Sequence, residues 1–328
     1  MEKRWHASQR RGVPIGEREM TLRVISGANP DGRFIMKIGF IGLGRMGYPM
    51  ATNIMKAGYE LVIHDVRREV GHNLETAGAG WADTPREAAV RSDVLLTSLP
   101  SAAAAEAVVL GDQGVFAGLG RGATYIDTGT NTPAFIRRIS GMGKERGIRV
   151  LDAPISGGVV GARDATLTIF IGGAEEDLER VRPLLEPIGR KIVYVGPAGS
   201  GNTIKLINNL MLFVNYVGAC EGVAMGAQAG IDPRLLLDVI AQSMGQSRIF
   251  EHAIAAFLDG EAIGGTTDLA VKDMQMGVEL AEELGVPVEV GTLVRDIFIR
   301  FRDEGGQGQE EYTELIQDYL NRSGVAWN

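Results

Sequence analysis

Residues 199–230 read GSGNTIKLINNLMLFVNYVGACEGVAMGAQAG, a stretch with no proline whose only charged side chains are Lys205 and Glu221. The pattern predicts one long helix, spanning some 40 Å at about 1.5 Å per residue. Its apolar residues fall on every side, so it is expected to be buried nearly all round. A membrane span would need about 20 uninterrupted apolar residues. Asn208, Asn209, Asn215, Glu221 and Gln228 break every such window. The segment 201–229 therefore reads as a core helix joining two domains, and no membrane partner is expected.

Lys205 and Asn209 stand near the start of this helix, four residues apart and hence on one face. A lysine in the first turns sits at the wrong end of the helix dipole, and apolar surroundings further disfavour its charge. Two readings stay open from this segment alone. The lysine stem can lie along apolar surface with its head in water, or the pair can address one ligand together.

N-terminal to this helix the chain alternates. Residues 37–42, KIGFIG, form an apolar run entering Gly42-Leu43-Gly44-Arg45-Met46-Gly47, and a helical segment follows. Glycines at these three places permit a tight turn, a close approach of backbone N–H groups to a pyrophosphate, and helix-on-strand packing. The next apolar run ends in Asp65. That lies about 20 residues beyond the glycines, the spacing at which a carboxylate meets the adenosine ribose hydroxyls. Runs rich in β-formers recur at 93–99, 124–127, 149–151, 167–171 and 192–195, separated mostly by helical segments such as 102–110, 133–146 and 175–188. Such alternation predicts an α/β fold with a doubly wound parallel sheet, a Rossmann domain over residues 36–198. Leu99-Pro100 and Asp127-Thr128-Gly129-Thr130 emerge at the carboxyl ends of strands, where a cofactor would lie. Thr130 offers a hydroxyl toward the nicotinamide end, or else serves as a turn or capping residue before Pro133. Asp152-Ala153-Pro154-Ile155-Ser156-Gly157-Gly158 is read as a loop. Its adjacent glycines either cradle a carboxylate with backbone N–H groups beside the Ser156 hydroxyl or make a plain tight turn.

Beyond residue 230 only helical patterns appear, at 233–243, 249–258, 269–284, 288–302 and 311–321. An all-α domain is expected over 199–328, with a second subunit helping to cover the long helix. Lys272-Asp273 falls mid-helix, where a solvated charge pair is the default. Residues 1–35 lack the apolar core of a secretory signal, and their scattered acids argue against a mitochondrial presequence. They are expected to be a disordered extension.

A net charge of −8 disfavours a nucleic-acid surface and points to small-molecule chemistry. The single cysteine, Cys220, and four scattered histidines offer neither a disulfide framework nor a metal-ligand cluster. A reducing, cytoplasmic compartment is expected.

Four motifs in order, GFIGLGRMG at 39–47, DAPISGGVVGA at 152–162, GNTIKLINN at 201–209 and Lys272-Asp273, make the chain resemble the 3-hydroxyisobutyrate dehydrogenase-related, or β-hydroxyacid dehydrogenase, family. The resemblance implies an oxidoreductase in which the glycine loop and Asp65 bind NAD, with NADP possible. Leu99, Pro100, Thr130 and Lys272 would line the cofactor. Ser156, Gly157, Gly158 and Asn209 would hold a small 3-hydroxy acid, Lys205 would be the general acid/base, and the protein would be a homodimer or homotetramer. Two departures bear on substrate identity: Gly129 stands where the family usually has serine, and Ala165 where it has glycine. Arg67 and Arg68 could meet a 2′-phosphate, but Asp65 would repel one there. An NADPH-dependent imine reductase shares the architecture, though it typically carries another residue in place of Lys205. A noncatalytic nucleotide-binding protein would need no Lys205, Ser156 and Asn209 together.

Overall fold

A computed structural model describes residues 36–261, 265–305 and 308–324. The expectation of a disordered extension concerns residues 1–35, outside the described residues. Among the described residues nine strands form one sheet: β1 (Lys37–Ile41), β2 (Glu60–His64), β3 (Gly80–Trp81), β4 (Val94–Thr97), β5 (Thr124–Asp127), β6 (Arg149–Asp152), β7 (Ile155–Ser156), β8 (Thr168–Gly172) and β9 (Lys191–Gly196). Their order is β3-β2-β1-β4-β5-β6-β8-β7, with β9 paired to β8.

From β3 to β6 every pair is parallel, the doubly wound order whose direction reverses between β1 and β4. The sheet is not parallel throughout, as the alternation had suggested. β8 runs antiparallel to β6 and β7, because the chain from β6 returns through the short strand β7 and helix Gly158–Arg163 rather than through a full crossover. The two-residue strands β3 and β7 carry no periodic signal of their own. Register aligns Ile41 with both His64 and Thr97. The segments leaving β1, β2 and β4 therefore open side by side.

Helix Ser200–Gln228 leaves the sheet and runs into a cluster of helices. Its first turns pack on β8 and β9, while Phe213, Tyr216, Val217, Cys220 and Val223 enter a second apolar core. That core is completed by helices Pro233–Ala241, Arg248–Asp259, Thr267–Glu283, Glu289–Gly305 and Leu315–Arg322. Phe213 meets the rings of Phe298 and Tyr312 edge-on, and Tyr216 donates its hydroxyl to the Thr313 carbonyl at 2.7 Å. By length and composition the long helix could cross a membrane. Here its buried face is instead covered by β8, β9 and this helical core.

The expectation that it is buried on every side does not hold within one chain. Ile204, Ile207, Met211 and Met225 lie on an open face, Met211 58% and Met225 73% exposed. Five short helices cover only part of the circumference of a 29-residue rod.

Candidate active site

The glycine loop fits a dinucleotide. Gly42 has φ +92°, and a Cβ there would lie 2.3 Å from the Ser98 carbonyl oxygen; one on Gly47 would lie 1.9 Å from that of Gly42. A Cβ on Gly44 would touch nothing within 4 Å. Internal packing therefore accounts for the outer two glycines and not for the middle one, which suits a backbone that a phosphate must approach. Helix Gly47–Lys56 begins at Met46 with no side-chain cap, so its first amides are not spent on a capping side chain. Asp65, directly after β2, accepts from Leu43 N at 2.7 Å and Arg67 N at 2.9 Å. Both bonds aim the carboxylate while leaving lone pairs for a ribose diol. Leu99 and Pro100 follow β4 beside this loop. The side chain of Arg45 crosses to the helical domain, where Nη2 meets Glu311 Oε1 at 2.8 Å.

Lys205, Asn209, Lys272 and Asp273 come together from two helices. Asn209 Nδ2 donates to Asp273 Oδ2 at 2.6 Å, and Lys272 Nζ lies 3.0 Å from Asp273 Oδ1 and 3.4 Å from the Thr130 carbonyl oxygen. The Lys272-Asp273 pair is thus not solvated, as its mid-helix position had suggested. Asp273 is buried, and its neighbour spans to the other domain. Burial holds the Lys205 ammonium below the ordinary lysine range; the Asp273 charge opposes this and that of Lys272 adds to it. A lysine so placed exchanges its proton more readily than one in water.

Thr130 enters through its backbone carbonyl, and the cap of helix Pro133–Arg146 is Thr132, whose hydroxyl accepts from Phe135 N. Ser156 ends β7 rather than lying in a loop, paired with Thr168. Gly157 and Gly158, exposed and at φ +137° and +64°, follow at the start of helix Gly158–Arg163, which has no side-chain cap.

Sequence reasoning missed four buried polar residues beneath this surface. Asp127 accepts from Thr97 Oγ1, Gly129 N and Asn131 Nδ2, and its burial pushes the carboxyl up to about 6. Asp152 accepts from Gly199 N at 2.9 Å and Asn202 N at 2.8 Å, capping the long helix from β6. Gly199, at φ +93°, supplies no capping side chain of its own. Asn202 in turn accepts from Asn131 N at 2.7 Å. Asp152 opens a quoted motif, and Asn202 lies three residues before Lys205 on the same helical face; those were the available signals. Asp127 gave none beyond its place at a strand end, and Asn131, in the loop that follows, gave none.

Comparison with known proteins agrees with this geometry. Residues 37–196 match the NAD binding domain of 6-phosphogluconate dehydrogenase, and residues 199–319 match the NAD-binding region of NADP-dependent 3-hydroxyisobutyrate dehydrogenase. The chain is 33% identical over 297 residues to 2-(hydroxymethyl)glutarate dehydrogenase of Eubacterium barkeri, covering 89% of this chain and 97% of that one. It is 35% identical to the NAD-dependent L-serine dehydrogenase of Pseudomonas aeruginosa, over 80% of this chain and 91% of that one. The solved structure of Mycobacterium tuberculosis 3-hydroxyisobutyrate dehydrogenase with L-serine superposes with a TM-score of 0.79 at 28% identity, covering 87% of this chain and 99% of that one. The chain therefore belongs to the β-hydroxyacid dehydrogenase family and is an NAD(P)-dependent hydroxyacid dehydrogenase.

Proposed function

We propose that this enzyme interconverts a small 3-hydroxy carboxylic acid and its semialdehyde, with NAD as the preferred cofactor and Lys205 as general acid/base. The observation that carries the reading is the placement of Lys205: half-buried, on the helical face it shares with Asn209, beside the Lys272-Asp273 pair, its charge disfavoured by burial.

A nicotinamide cofactor held by the Gly42–Gly47 loop and Asp65 would supply the hydride acceptor for the carbon bearing the hydroxyl. Neutral Lys205 Nζ takes the hydroxyl proton as the carbonyl forms; in reduction its ammonium returns that proton to the carbonyl oxygen. Asn209 keeps one amide N–H beyond the one given to Asp273, free to orient the substrate oxygen. Ser156 Oγ and the Gly157 and Gly158 amides would take the substrate carboxylate. Asp65 favours NAD, because a carboxylate accepts from two ribose hydroxyls and repels a 2′-phosphate.

The open apolar face of the long helix supports a homo-oligomer. Met211 also lines a groove of about 590 Å³ with Leu210, Val214, Val288 and Val290.

A panel of 3-hydroxy acids assayed by NADH formation tests the reaction. Lys205→Ala should lower kcat by about 10²- to 10⁴-fold while NAD still binds. Lys205→Arg, which holds its proton at any working pH, should stay badly impaired. Near-normal turnover in Lys205→Ala would end this mechanism.

A further inference from the structure

The loop Gly129–Asn131 is held from three directions. From its own strand, Asp127 takes Gly129 N at 3.1 Å and Asn131 Nδ2 at 2.6 Å. From helix Thr267–Glu283, Lys272 Nζ donates to the Thr130 carbonyl. From the long helix, Asn202 Oδ1 accepts Asn131 N at 2.7 Å. Asn202 is itself fixed to β6, donating N to Asp152 Oδ2 at 2.8 Å and Nδ2 to the same oxygen at 3.4 Å. Asp127, Asn131, Asn202 and Asp152 are all 2% exposed or less.

Asn202, Lys205 and Asn209 follow the spacing i, i+3, i+7 and share one face of the helix. The turn that grips the loop is therefore continuous with the turns that carry the lysine and the asparagine. The grip also has a cost. Asn131 Oδ1 is buried with no hydrogen-bond partner among the described residues, and a buried carbonyl left without a donor is destabilising. A residue chosen only to fill this space would not carry an orphaned carbonyl.

We propose that Asn202 is a positioning residue, which through Asn131 fixes the Thr130 loop at the nicotinamide edge relative to Lys205 and Asn209. This rests on the assignment of Lys205 and Thr130 above. An error of about 1 Å in such a relationship can cost about 10²-fold in rate, so a buried tether between the two halves of the site matters to chemistry as well as to folding.

The test compares Asn202→Ala with Leu320→Ala, a buried residue in the helical core, which serves as a destabilised control. Three readouts are taken: hydrogen exchange of the segment 129–132 in the free protein, the emission of bound NADH with its Kd, and kcat on whichever 3-hydroxy acid the wild type oxidises. In Asn202→Ala, exchange at 129–132 should rise at least tenfold. NADH should bind within about threefold of wild type, since the glycine loop and Asp65 are untouched, but its emission should move toward that of free NADH. Turnover should fall at least tenfold while KM changes little. Leu320→Ala should lower Tm and leave all three unchanged. Unaltered exchange and emission in folded Asn202→Ala, or the same changes in Leu320→Ala, would overturn the proposal. If no hydroxy acid is oxidised by the wild type, the functional reading fails, and exchange and emission still decide the role of Asn202.

Discussion

Asn209 and Asp273, on different helices, are joined by a 2.6 Å hydrogen bond from Nδ2 to Oδ2, and the second carboxylate oxygen lies 3.0 Å from Lys272. One buried carboxylate thus orients the asparagine, balances one lysine and raises the proton affinity of another, Lys205. Asp273→Asn should remove all three effects. The charge of Asp273 opposes the depression of the Lys205 pKa, and without it the uncompensated Lys272 depresses that pKa further. Oxidation requires neutral Lys205, so kcat/KM rises with pH through the lysine pKa. In Asp273→Asn that limb should move to lower pH, while the plateau drops by about 10- to 100-fold from the loosened Asn209. A pH–rate profile of both proteins checks this. A limb that stays in place or moves upward would mean that Asp273 does not act on Lys205.

Cofactor choice follows from Asp65. Arg67 is exposed and reaches the Asp65 carboxylate only at 3.8 Å, whereas Arg68 is engaged by Glu75 and Asp83. Arg67 is the arginine free to turn toward a 2′-phosphate once the acid is gone. Asp65→Ser should shift the ratio of kcat/KM for NAD over NADP by about tenfold or more toward NADP. A wild type that prefers NADP would contradict the role given to Asp65.

The parts of the fold that were legible in the sequence are those with strong local signals. The glycine turn between β1 and its helix, the acid after β2 and the long apolar helix each combine a periodic run with a spacing fixed by geometry. Lys205 and Asn209 were legible for the same reason, since four residues on one helix settle a shared face. The contacts of Asp273, Asn202 and Glu311 were not, because each depends on how distant segments dock. Arg45 and Glu311 stand 266 positions apart, and no local pattern announces such a pair. Ala165 illustrates a departure that the sequence flagged but could not interpret: it holds φ +56°, the left-handed conformation that favours the glycine usual in the family.

The open face of the long helix bears on assembly. Ile204, Ile207, Met211 and Met225 recur along one side of it, and Val290 and Leu293 are exposed on helix Glu289–Gly305. So much contiguous apolar surface is seldom left to water. Met211→Glu should shift the protein toward monomer in sedimentation or light scattering, with Tm falling as the concentration-dependent contribution is lost. A wild type that is monomeric at micromolar concentration, with the mutant indistinguishable from it, would refute the homo-oligomer.

The last prediction concerns Asp127, whose carboxyl is raised from 3.8 to about 6, chiefly by burial. Three donors, from Gly129, Asn131 and Thr97, oppose that shift without cancelling it. Because the folded pKa exceeds the unfolded one, the folded state holds this proton more tightly. The stability that Asp127 contributes is fully present below about pH 4 and is lost as pH rises through about 6. The two limits differ by about 3 kcal/mol, since each pKa unit is worth 1.36 kcal/mol. Asp127→Asn does not titrate, and most other groups cancel between it and the wild type. The difference in unfolding free energy, wild type minus variant, should therefore fall by up to about 3 kcal/mol between pH 4 and pH 8, most steeply near pH 5, midway between the unfolded and folded values, and level off above about 6. Denaturant titrations across that range measure it directly. Asp152 is the acid whose charge also raises the Asp127 pKa, so Asp152→Asn should move the midpoint of this fall to lower pH. A difference that is flat with pH would show that the three donors cancel burial, and one that grows as pH rises would show that they outweigh it; either result overturns the raised Asp127 pKa.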